Sequence, residues 1–270
     1  MMRVLLLVFI SLWVLHGQSK EDIPVLTADQ FEAMEKGVDW KVQFKDDGSK
    51  DWQELYFLDG KKASIVRDDK GMLFSAGPDW RDDASHAVLW THASFAGDVK
   101  IEFEFTKMDD AFRAVNILYI QATGKGEAPQ VADIYAWREL REVPSMSQYF
   151  NNMHTLHISY AAFGNKDNEP KEDDYIRARR YLGSVDKGLG GTDLQPDIYM
   201  RNGIFRQHAP VQVTVIKTDE WLTARFVGEE KTVLCSWPLE GIKPVTEGRI
   251  GFRQMFTRIS RYRNIAISTR

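Results

Sequence analysis

The sequence predicts an all-β protein, a β-sandwich of two antiparallel sheets with few, short helices. Three observations lead there. Apolar and polar residues alternate with a period of two through most of the chain, and turn signals such as Asp59-Gly60, Lys70-Gly71 and Glu247-Gly248 separate the alternating runs. No strand–helix–strand rhythm appears that would make a parallel sheet.

The elements follow in chain order. Arg3 precedes an apolar run from Val4 to Leu15, which His16-Gly17-Gln18-Ser19-Lys20 ends. A positive start, a short apolar stretch and a small polar exit predict a signal peptide over residues 1–19. The run is shorter than the roughly 20 apolar residues that span a bilayer. A mature start between Gln18 and Asp22 is therefore expected, in a secreted or periplasmic protein that leaves the membrane after cleavage. Residues 20–270 are expected to form one sandwich domain, a length such folds commonly use. Thr27 and Gln30 have the spacing of a capping box, which predicts a short helix over Asp29–Lys36.

Strands are predicted at "HAVLWTH" (His86–His92), "VKIEFEFT" (Val99–Thr106), "HTLHISYAAF" (His154–Phe163), "VQVTVIK" (Val211–Lys217) and "WLTARFVG" (Trp221–Gly228). Ile134–Val143 is expected to make a turn or two of helix. Residues 164–196 are polar and Gly-rich, as a lid or functional loop would be. Within them "YIRARRY" (Tyr175–Tyr181) reads equally well as a solvated charged helix.

Composition narrows the class. Cys235 is the only cysteine, which rules out an intramolecular disulfide and a cysteine-rich metal site. Its run, "TVLCSWPL", predicts a structural, unreactive thiol. A net charge of −4 argues against nucleic acid as the main partner. No acidic residue follows Glu247, whereas six arginines do, an asymmetry that points to an anionic ligand. HExxH, P-loop, GxGxxG and GxSxG motifs are all missing.

Strand parity groups the candidate ligand-binding residues. His86, Val88, Trp90 and His92 share one face; His154 and Tyr160 share another, while His157 and Ser159 point the opposite way. In a curved sandwich, residues projecting from the concave sheet line a groove, and eight tryptophans supply faces for sugar rings. His154, Tyr160 and Arg138 are the expected catalytic set. His86, Trp90, Trp137, Asn151, Asn152, Arg177 and Arg253 are the expected ligand contacts. No metal ligands and no cofactor are expected, with a structural Ca²⁺ left open.

This set suits an acidic polysaccharide or oligosaccharide, including one that contains uronate. In β-elimination an arginine would neutralise the carboxylate, a histidine would remove the C5 proton and a tyrosine would protonate the leaving oxygen. Hydrolysis between two carboxylates is the second reading, with Glu102, Glu104, Asp133 and Glu139 as candidates. Glycan binding without catalysis is the alternative from another class, because a fold alone does not fix function.

Several long stretches carry a family resemblance. "HAVLWTHASFAGDVKIEFEF", "VNILYIQATG", "WRELREVPSM", "MHTLHISYAAF", "DYIRARRY", "GTDLQPD" and "GRIGFRQMFTRISRYRN" resemble DUF1961, in order from about Ala63 to the C-terminus. The resemblance implies a concanavalin A-like (lectin/glucanase) jelly roll. The family's members resemble a Bacillus protein encoded among rhamnogalacturonan-degradation genes, a link to polysaccharide degradation that implies no settled activity. "WRELRE" is loosely similar to an arginine-bearing strand of jelly-roll alginate lyases, but the other lyase motifs have no counterpart.

Overall fold

The computed structural model describes residues 23–47, 50–164, 174–182 and 188–270; the predicted signal peptide lies outside them. The alternating runs form strands β1 (Lys41–Asp46), β2 (Tyr56–Asp59), β3 (Ser64–Asp68), β4 (Gly71–Ser75) and β5 (Ala87–Ala96). Next come β6 (Val99–Lys107), β7 (Asn116–Gly124), β8 (Met153–Ala162), β9 (Tyr175–Tyr181) and β10 (Tyr199–Met200). The last are β11 (Pro210–Lys217), β12 (Trp221–Val227), β13 (Thr232–Pro238), β14 (Glu247–Gln254) and β15 (Ile259–Thr269).

They make two antiparallel sheets. One has eight strands in the order β13-β12-β11-β6-β15-β4-β3, with β1 also paired to β15. The other has seven, in the order β10-β9-β8-β7-β14-β5-β2. The long strand β15 serves two neighbours on one side, β4 through Ile259–Tyr262 and β1 through Ile265–Thr269. This is the predicted concanavalin A-like sandwich.

Between the sheets lies the main core. Leu89, Leu118, Ile120, Leu156, Ile158 and Phe252 face Ile101, Phe103, Phe105, Val213 and Val215 across it. Each such side chain contributes about 1.5–3 kcal/mol by leaving water. Cys235 belongs to this core, and burial pushes its thiol pKa up.

A second apolar layer covers the outer face of the seven-stranded sheet. There Val88, Trp90, Ile117 and Tyr119 pack under Ile134, Trp137 and Tyr149. The covering residues come from a 3₁₀ segment (Ile134–Arg141) and helix α3 (Met146–Phe150). Helix α1 (Ala28–Lys36) forms where expected, with both bonds of the Thr27/Gln30 capping box; α2 is a single turn, Trp52–Leu55. Among the described residues no helix is long and apolar enough to cross a membrane.

One local expectation fails. "YIRARRY" is strand β9 rather than a helix. Its period is two because Ile176 and Ala178 enter the inter-sheet core while Arg177 and Arg179 take the other face.

Candidate functional site

Register across the seven-stranded sheet lines up a row of side chains on its outer face. Trp90 of β5 pairs with Gly251 of β14, which pairs with Tyr119 of β7; Tyr119 pairs with His157 of β8, and His157 with Arg179 of β9. The row beside it runs Val88, Arg253, Ile117, Ser159, Arg177. Glycine is required at 251: a Cβ there would sit 2.5 Å from the Trp90 ring. Without one, Trp90 and Tyr119 stack across the strand at 5.3 Å, and Tyr149 joins the stack 5.6 Å from Tyr119.

The cover layer is tied down by one carboxylate. Oδ2 of buried Asp59 accepts from Trp90 Nε1 (2.8 Å), Arg141 Nε (2.7 Å) and Tyr149 OH (3.0 Å). Burial pushes the Asp59 carboxyl above its usual range, against the pull of Arg141. Three donors on one oxygen fix the stacked rings in place, so this part of the layer is a rigid wall.

Beyond that wall the bonding stops. Tyr181 OH and His157 Nδ1 are buried and have no hydrogen-bond partner, and beside them the buried Tyr119 hydroxyl has only the Arg253 guanidinium within reach. The three rings lie together: His157 is 4.8 Å from Tyr181 and 5.9 Å from Tyr119, and Tyr119 is 6.2 Å from Tyr181. Buried polar groups in folded proteins almost always have partners, and an unpaired one costs about 1–3 kcal/mol. Unpaired groups gathered in one place mark a site prepared for a polar ligand.

The electrostatics are one-sided. Burial, reinforced by Arg179 and Arg177, holds the His157 pKa well below its ordinary value, so the ring is neutral at pH 7. Burial likewise drives the Tyr181 hydroxyl well above the usual range. Arg177 and Arg179 share one carboxylate, Asp193, at 3.5 and 2.7 Å. Arg253 instead donates through Nη2 to Pro144 O (2.6 Å) and His86 Nδ1 (2.7 Å). His86 falls to about pH 3 through burial and the Arg253 charge. The site therefore holds more positive charge than its carboxylates balance, and at its rim the Arg177 and Asp193 side chains are 23 and 33 % exposed.

The predicted residues separate into three groups. Trp90, His86 and Arg253 belong to the outer-face layer, with Trp137 in its cover and Arg177 at its rim. Asn151 and Asn152 close helix α3, where Asn152 donates to Gln148 O at 3.0 Å. The catalytic trio, however, does not assemble. Tyr160 lies in the inter-sheet core with its hydroxyl 2.8 Å from that of Tyr262. His154 shares its parity, as predicted, and is half-buried at the strand end. Arg138 is on the surface, its guanidinium 4.2 Å from the Tyr135 ring. It is His157 and Ser159, the opposite parity, that face the site.

Nor do the carboxylates converge. Glu102 and Glu104 pair with Lys100 (3.0 Å) and Arg263 (3.6 Å) on the eight-stranded sheet. Asp133 binds Arg249 at 2.9 Å, and Glu139 is exposed beside Arg138. Tyr119, His157, Arg179 and Tyr181 are functional candidates the sequence reading did not select. The signal was present in "LHIS" and "IRAR", where polar residues alternate with core residues inside buried strands.

Solved structures share this architecture. A galectin-like protein of unknown function from Bacillus subtilis aligns with a TM-score of 0.63 at 18 % identity, covering 85 % of this chain and 98 % of its own. The VIP36 exoplasmic/lumenal domain in a Ca²⁺/Man2-bound form aligns with a TM-score of 0.53 at 15 % identity, covering 85 and 88 %. Lectin UEA-II complexed with galactose aligns at 0.53 and 11 %, covering 83 and 97 %. No curated protein matches the sequence. Two of these neighbours are sugar-bound forms and none is described as a lyase or hydrolase, and this corrects the expectation of a polysaccharide-cleaving enzyme. The scattered catalytic trio agrees with the correction. Among the described residues no group of three or more His, Cys, Asp or Glu side chains could hold a metal ion. A model for a domain of unknown function, DUF1961, matches residues 45–267, and the chain belongs to that family.

Proposed function

We propose that the protein is a non-catalytic carbohydrate-binding protein that takes a sugar chain on the outer face of its seven-stranded sheet. One observation carries this reading: Tyr181 OH and His157 Nδ1 are buried without partners, next to the buried Tyr119 hydroxyl and Arg253 guanidinium. A pyranose offers hydroxyls to those groups and C–H faces to the neighbouring rings. The unbalanced arginines favour an anionic unit such as a uronate, because a planar guanidinium pairs with a carboxylate through two hydrogen bonds. The Man2-bound form of VIP36 and the galactose complex of UEA-II support sugar binding on this architecture. Binding takes place outside the cytoplasm, given the leader-like residues 1–19. A role beside rhamnogalacturonan breakdown would follow if the ligand is a galacturonate chain.

Titration calorimetry against neutral and uronate-containing oligosaccharides tests this. Wild type is expected to bind a uronate oligosaccharide and release no product. Arg177→Ala, at the rim, should weaken binding at least about tenfold, or 1.4 kcal/mol. Equal affinity for neutral and uronate chains, or unchanged binding by Arg177→Ala, would remove the anionic reading.

A further inference from the structure

A cavity of about 510 Å³ lies between helix α1 and the turn joining β11 to β12. Its size is within the range of small-molecule sites. Two half-buried indoles, Trp40 and Trp221, line it together with Met34. Both walls are anchored. Trp40 Nε1 donates to Met34 O at 3.0 Å, which fixes that indole against the helix. Thr218 Oγ1 accepts from the backbone of Glu220 (3.2 Å) and Trp221 (3.0 Å), which fixes the turn. The helix itself is held to β12 by Glu35 and Arg225 at 2.5 Å.

Charge here is opposite to that of the outer-face site. Asp219 and Glu220 project from the turn into solvent at the cavity. The basic group of the lining, Arg270, is already paired with Asp98. An anionic ligand is therefore disfavoured, while exposed carboxylates are strong acceptors for hydroxyl groups. Helix α1 and Trp40 precede residues 45–267, the part matched to the family.

We propose that this cavity is a second sugar-binding site, for a neutral pyranose ring stacked on Trp40 or Trp221 with its hydroxyls donating to Asp219 and Glu220. It stands independently of the outer-face site. Together the two would read different units of one polysaccharide, one acidic and one neutral, and linked sites gain avidity without new contacts.

Indole N–H resonances of the ¹⁵N-labelled protein test the proposal. Titration with cello-, manno- and galacto-oligosaccharides should shift the Trp40 and Trp221 signals, with a Kd near about 1 mM for at least one series. Oligogalacturonate should leave both signals unmoved. Ala33→Trp, which fills the cavity from an exposed helix position, should weaken the neutral interaction at least about tenfold. Tyr181→Phe, at the other site, should not change it. The proposal is overturned if no neutral series moves either indole up to about 10 mM, if oligogalacturonate moves them equally, or if Ala33→Trp binds as wild type does. The wild-type titration decides the matter even if that variant fails to fold.

Discussion

On its inner face the seven-stranded sheet presents Leu89, Leu118, Leu156, Ile158 and Phe252 to the opposite sheet, and the Tyr160–Tyr262 hydroxyl pair among them satisfies itself at 2.8 Å. On its outer face the same strands present Trp90, Tyr119, His157, Arg253 and Arg179, and several of their polar atoms are left unbonded. Both faces are buried, and the unbonded polar atoms gather on the outer one, whereas the inner one leaves Asn116 Oδ1 unbonded beside a satisfied hydroxyl pair. The difference separates a layer that holds the fold together from a layer held ready for a ligand. Within the outer layer a similar contrast recurs: Asp59 Oδ2 holds the Trp90–Tyr149–Arg141 wall, whereas Tyr181 OH and His157 Nδ1 beside it have no partner.

The largest expected effect breaks that wall. Asp59→Ala leaves the Arg141 charge buried without its carboxylate, a change that typically costs about 3–5 kcal/mol. Urea denaturation followed by tryptophan fluorescence should show it. A loss below about 1 kcal/mol would mean that the cover layer contributes little to holding the sheet.

Acid should weaken the outer layer next. His86 is held near pH 3 and His157 well below its ordinary pKa, so both stay neutral in the folded protein. In the unfolded chain each takes up a proton near pH 6.5. The unfolded state then binds more protons, so stability is full above about pH 6.5 and falls as pH drops below it. Each histidine contributes a slope of about 1.4 kcal/mol per pH unit. His157→Gln should reduce the slope between about pH 6.5 and 5.5 by that amount. An unchanged slope would show that His157 is protonated in the native state.

A smaller effect is expected on the inner face. Tyr160→Phe removes one satisfied hydroxyl bond and should cost about 1 kcal/mol, with sugar binding unaltered. A binding defect in this variant would join the two layers that the structure separates.

How much of this was legible in the sequence follows from the same two faces. Strands such as Val99–Lys107 announce themselves because Glu102 and Glu104 face water while Ile101, Phe103 and Phe105 face the core. The Thr27/Gln30 cap is equally local. In β8 parity was readable but its sense was not. Because both faces of that strand are buried, neither reads as the solvent side, and His154 with Tyr160 was placed in the groove instead of His157 with Ser159. The row from Trp90 to Arg179 depends on pairing between strands far apart in the chain, and nothing local encodes it. Gly251 was silent for the same reason, since its need becomes visible only once the Trp90 ring lies over it.

The most direct test exchanges unsatisfied hydroxyls for hydrogen. In Tyr119→Phe/Tyr181→Phe the rings and their stacking remain, and only two buried O–H groups are lost, that of Tyr181 without a partner and that of Tyr119 beside Arg253. If those groups await a ligand, the free variant should be as stable as wild type or more stable, by up to about 1–3 kcal/mol, because a buried unpaired group is removed. Its affinity for the uronate oligosaccharide should fall at least about tenfold. Stability and binding should thus move in opposite directions, measured by denaturation and calorimetry on the same preparation. A variant that loses stability and keeps full affinity would contradict the account, because its hydroxyls would then be structural.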